Sequence, residues 1–192
     1  MPDDLPLLAF RSADEWAAWL AEHHADHPDG IRIKIAKKGT GTESVDHRGA
    51  LEHALRYGWI DGQGKRIDDE WFSVRFLPRR KRSMWSRINR EKAEALIASG
   101  RMEPAGLAEV ERARADGRWD AAYEPASTAT VPDDLQAALD AEPAAAAAFA
   151  ALDSRNRYAI LHRLGQAKRP ETRVKRIEQY VAMLAAGGRL HP

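Results

Sequence analysis

The residues best suited to chemistry in this chain are cationic, and they cluster. The run Arg79-Arg80-Lys81-Arg82-Ser83-Met84-Trp85-Ser86-Arg87-Ile88-Asn89-Arg90 sets four bases just ahead of a predicted helix N-terminus. Such a terminus offers free backbone N–H groups and a positive dipole end, both of which favour an anion. The planar guanidinium fork matches phosphate, and Trp85 could stack a base or a ring. Ser83, Ser86 and Asn89 could add polar contacts. The competing reading puts Trp85 in the core, the serines at caps and the arginines on a solvated surface.

A second run, Lys168-Arg169-Pro170-Glu171-Thr172-Arg173, is followed by Arg176. Pro170 suits a first helical position. Arg173 and Arg176, three apart, share a helix face. They could clamp a phosphate or an acidic peptide. Alternatively, they pair with carboxylates at 120–154 and tie helices together.

A third candidate is Trp59-Ile60-Asp61-Gly62. Trp59 and Asp61 could line a pocket, with Asp61 the one weak candidate for a general base. Glycines beside a helix end also serve backbone geometry, and Asp61 could simply hold a turn. The loop 37–44 lacks the Gly-Lys-Ser/Thr ending of a nucleotide P-loop. His23, His24 and His27 show no His-Glu-x-x-His pattern, so no metal site is expected. With no cysteine, disulfides and thiol catalysis are excluded. No cofactor fingerprint is present, and no cofactor is expected.

The chain has 192 residues and a formal net charge of +1. That balance is a sum of opposed blocks. Residues 1–30 hold seven acids and one base, and residues 65–92 hold ten bases and four acids. Residues 120–154 hold seven acids and no base, and residues 155–176 hold eight bases and one acid. A uniformly basic protein is excluded, but a local positive field is not. No apolar run approaches the roughly 20 residues of a membrane span. The acidic start Met1-Pro2-Asp3-Asp4 argues against a secretory leader, so a cytoplasmic location is expected.

These side chains must be carried by elements the pattern also predicts. Asp14 caps a first helix through Glu22. Ile31, Ile33 and Ile35 alternate with Arg32 and Lys34, the period of a half-buried strand. A helix runs from Asp46 to Tyr57, with Gly58 ending it. Two strand-like runs follow, the clearer being Trp71 to Leu77. From Ser86 onward the pattern is helical, with starts at Pro104, Pro132, Pro143, Ser154 and Pro170 and a stripe of Val174, Ile177, Val181 and Leu184. The expected fold is α+β. It has a small antiparallel sheet with helices in residues 1–125, and a mostly helical unit in residues 126–192 packed on the first. Ala126 to Thr130 reads as the linker.

Several stretches together resemble the YdeI/OmpD-associated family, also called bacteriocin-protection proteins. They are Tyr57-Gly58-Trp59-Ile60-Asp61-Gly62, Phe76 through Asn89, Gly117-Arg118-Trp119, Val131-Pro132-Asp133-Asp134-Leu135 and Ala167 through Arg173. The resemblance spans about Trp19 to Leu184. It implies a small protein without an established reaction or cofactor, connected with stress or bacteriocin resistance. The family pattern often has a cysteine where this chain has Arg56. The expected function is a non-catalytic binding protein for an anionic partner, either nucleic acid or a phosphorylated ligand. Its contacts would be Arg79, Arg80, Arg82, Trp85 and Asn89, joined by Lys168, Arg169 and Arg173. The alternatives are a protein–protein interaction factor in envelope stress, or an enzyme with a pocket near Trp59 and Asp61.

Overall fold

The structure is a computed structural model and describes residues 5–125, 128–167 and 169–191. Lys168 and two residues of the expected linker, 126 and 127, lie outside the described residues. The chain divides into two compact units, Met1–Ala122 and Tyr123–Pro192. It is an α+β protein.

The first unit contains β1 (Leu7–Ala9), α1 (Ala13–His23), β2 (Ile31–Ala36), α2 (His47–Arg56), β3 (Trp59–Arg66), β4 (Trp71–Pro78), α3 (Arg87–Ala98) and α4 (Pro104–Ala115). The alternation in β2 buries Ile31, Ile33 and Ile35 and leaves Arg32 and Lys34 partly exposed. The strand order is β1-β2-β4-β3. β4 is antiparallel to both its neighbours, whereas β1 runs parallel to β2 with Leu7 opposite Arg32. The sheet is therefore mixed rather than antiparallel. A three-residue strand leaves too little alternation to be read from sequence. The helix α1, inserted between β1 and β2, provides the crossover that a parallel pair requires.

Trp16 and Leu20 of α1 and the Ala50, Leu51, Ala54 and Leu55 stripe of α2 share one core with the buried face of the sheet. Trp16 stands 5.8 Å from Phe76 and 6.1 Å from Trp59, ring centre to ring centre, and its indole N–H donates to Ala50 O (3.0 Å). The cap of α1 is Ser12, whose hydroxyl accepts from Glu15 N–H, and not Asp14. Asp46, the expected start of α2, caps that helix by accepting from Gly49 N–H. Gly58 ends that helix at φ +74, and an added Cβ would lie 2.8 Å from Glu109 Cγ. Gly106 allows a matching close approach, since its Cβ would fall 2.2 Å from Arg56 O. Both positions need glycine because α4 crosses the end of α2 backbone to backbone.

The second unit contains α5 (Asp133–Asp140), α6 (Pro143–Ala150), α7 (Ser154–Gly165) and α8 (Pro170–Ala185). Leu135, Leu139, Phe149, Ile160, Leu164 and Leu184 lie in its core. The inward stripe of α8 is Ile177, Tyr180 and Leu184, while Val174 is 55% exposed. Buried Asn156 bonds Asp153 Oδ1 and the backbone of His191, which joins the start of α7 to the end of the chain. Among the described residues, no helix is long and apolar enough to cross a membrane.

Candidate anion-binding loop

The loop after β4 is held from beneath by two buried arginines. Arg79 N–H donates to Gly58 O (2.9 Å), which continues the hairpin past Pro78. The Arg79 side chain is 5% exposed, and its guanidinium lies 3.6 Å from the centre of the Trp85 ring. Its Nη1 also donates to Met84 O. Trp85 is 1% exposed and meets Trp119 edge-on at 4.9 Å. The second arginine, Arg118, is 6% exposed. It donates to Ser83 O (2.7 Å) and pairs with Asp116 (2.8 Å). Within the loop, Ser83 N–H donates to Arg80 O, and Arg80 N–H donates to the Ser83 hydroxyl. Ser86 caps α3 by accepting from Asn89 N–H (3.2 Å).

This geometry corrects several expected contacts. Trp85 offers no face to a base, because the Arg79 guanidinium covers the ring and the residue is buried. Arg79 supports the loop and is not presented to a ligand. Ser83 and Ser86 are engaged in a turn and a cap; Asn89 gives that cap only its backbone N–H, and the residue stays partly exposed. What remains outward is Arg80, Lys81 and Arg82, all exposed. Among the described residues none of the three makes an ion pair.

The second basic segment belongs to the other unit. Arg173 bonds Asp134 through Nη2 (2.8 Å) and Leu164 O through Nη1 (3.0 Å). That guanidinium holds the Asp134 carboxyl below its ordinary range. Arg176 donates to Arg163 O. Arg173 therefore ties α8 to α5 and α7 and is no free anion clamp, which corrects its expected role. Arg169 and Thr172 are exposed at the start of α8, without a side-chain cap bond there.

Trp59 is 1% exposed and packs against Trp16 and Trp19, with its indole N–H on His24 O (3.1 Å). It therefore lines the core and not an open pocket. Asp61 is partly exposed and lies 3.0 Å from His47 Nε2. The sequence pattern did not point to His47. It sits at the first position of α2, fourteen residues from Asp61, and only the α2–β3 connection brings the two together. Such a pair resembles a base with its orienting carboxylate. Among the described residues no hydroxyl bonds to His47. His23 and His27 both lie against Trp19. Among the described residues no cluster of three or more His, Cys, Asp or Glu could hold a metal ion.

Residues 8–109 match the family model described as Domain of unknown function (DUF8412), which covers more than half of the chain. Residues 128–187 match the model described as Bacteriocin-protection, YdeI or OmpD-Associated. The chain belongs to the DUF8412 family and carries a YdeI/OmpD-associated domain. The stretches Val131 to Leu135 and Ala167 to Arg173 fall inside that domain, whereas Tyr57 to Gly62 and Phe76 to Asn89 fall inside the DUF8412 region. The exposed-cation loop thus lies in the DUF8412 region of this chain, and the Arg173–Asp134 tie lies in its YdeI/OmpD-associated domain. No curated protein and no solved structure matches the chain.

Proposed function

We propose that this DUF8412 member is a non-catalytic, cytoplasmic binding protein of the YdeI/OmpD-associated type, acting in stress or bacteriocin resistance. It recognises a phosphate-bearing partner, nucleic acid or a phosphorylated small molecule, through Arg80, Lys81 and Arg82. The observation that carries this is a loop with three adjacent exposed cations, its backbone fixed by Arg79 and Arg118. A fixed loop loses little conformational entropy on binding. Adjacent like charges without a carboxylate partner gain most from an anion.

The test is duplex DNA binding across a salt series. Three neutralised phosphates give a slope of log affinity against log salt of about −2.7. Arg80→Glu with Arg82→Glu removes that slope. For a phosphorylated metabolite, saturation at 100 times its dissociation constant raises stability by about 2.7 kcal/mol. Absence of duplex binding at low salt, together with no stabilisation by any phosphorylated metabolite, overturns the proposal.

A further inference from the structure

The sheet of the first unit has α1 and α2 on one face, where Ile31, Ile33, Ile35, Val74 and Phe76 enter the core. By the pleat, the intervening side chains of β2 and β4 project from the other face. The register sets Arg32 directly opposite Arg75 and Lys34 opposite Ser73. Like charges opposite one another on a sheet are destabilising. Neither β2 nor β4 contains an acidic residue to offset them. Among the described residues, Arg32, Lys34 and Arg75 make no ion pair. Arg32 donates to the Ser73 hydroxyl (3.2 Å) and Arg75 to Asp29 O (2.7 Å). Arg75 Nε is buried with no acceptor among the described residues. The Asp68 carboxylate, in the turn between β3 and β4, feels the charge of Lys34 but accepts the N–H groups of Glu70 and Trp71.

The same face carries an aromatic ring. Trp71 lies opposite Ala36 at the end of the ladder, with Lys34 Nζ 4.1 Å from its ring centre. Cations in a row beside an indole on one sheet face, with Arg32, Lys34, Trp71 and Arg75 each partly exposed, match one kind of polyanion best. A single strand presents both phosphates and unpaired bases, whereas a duplex hides its base faces and an acidic peptide has none to stack. We propose that this sheet face binds single-stranded nucleic acid. Arg32 and Arg75 take phosphates and Trp71 stacks a base, with Lys34 moving on its flexible stem from the ring to the backbone. The proposal shares no residue with the Arg80–Arg82 loop and does not rest on it.

The experiment is fluorescence anisotropy of a labelled oligo-dT probe with the full chain at low salt. Binding is expected with a salt slope of about −2.1 for three contacts to a single strand. Arg32→Glu with Arg75→Glu abolishes it, and Trp71→Ala weakens it roughly 5- to 150-fold. Should the double reversal fail to fold, Arg32→Gln and Arg75→Gln taken singly each reduce affinity while keeping the circular dichroism spectrum. No binding by the wild-type chain overturns the proposal, as does binding that the sheet variants do not alter. Equal competition by polyglutamate, with Trp71→Ala silent, also overturns it and marks the face as one for acidic proteins. The loop proposal fails separately, if duplex affinity and metabolite stabilisation ignore Arg80→Glu with Arg82→Glu.

Discussion

The two basic segments look alike as sequence and are built differently. In the loop after β4, Arg79 is buried against Trp85, and its neighbours Arg80, Lys81 and Arg82 are left facing water. In the second unit, Arg173 and Arg176 turn to a carboxylate and to backbone carbonyls of their own unit. A cluster of cations thus becomes available to a ligand when other residues hold its loop in place. In the first unit Arg79 on its tryptophan face and Arg118, paired with Asp116, do so, whereas in the second Asp134 takes up the charge of Arg173 itself.

The outward cations of the first unit depend most on Trp85. Trp85→Ala removes the surface on which Arg79 rests and opens a cavity, at an expected cost of about 3–5 kcal/mol in urea unfolding. A loss below about 1 kcal/mol would show that the loop is not anchored there. Ser86→Ala removes the cap of α3, with an expected loss of about 1 kcal/mol by the same measurement.

On the other side, a double-mutant cycle over Arg173→Ala and Asp134→Ala should give a coupling of about 0.5–1 kcal/mol, since the pair is partly exposed. It carries a pH signature. Asp134 is held down by Arg173 and Asp153 by the N–H of Asn156. Their folded values lie below the unfolded ones, so their contribution is present above the ordinary carboxylate range. It is lost as pH falls through the lowered values. Thermal melts should therefore show an acid-side decline that Arg173→Ala flattens. The smallest effect belongs to the outward cations. Arg80, Lys81 and Arg82 changed together to Ala should alter stability by no more than about 0.5 kcal/mol. The same variant should lose the salt-dependent part of duplex binding. A large destabilisation would place these residues with Arg173 as scaffolding.

Much of the fold was legible because its signals are local. The alternation of Ile31, Ile33 and Ile35 announced β2, and Asp46 and Ser86 announced the starts of α2 and α3. Pro104, Pro143 and Pro170 marked three further starts by their position at the first turn. β1 was not legible, because three residues carry no period and its parallel pairing depends on β2, more than twenty residues away. Val174 was read onto the inward stripe of α8 because it fits the spacing, yet the helix turns that position outward. The pairing of His47 with Asp61 left no mark in either neighbourhood.

For the candidate site, sequence determined residue type and clustering: ten bases in 65–92, an embedded tryptophan, and an opposed acidic block before the second basic run. Tertiary structure decided which of those charges face outward. Arg118 reaches Ser83 across 35 positions, and Asp134 reaches Arg173 across 39. Burial and partnership are set by which residues the folded chain brings into contact. A local pattern can name a cation, but only packing decides whether a ring, a carboxylate or water receives it.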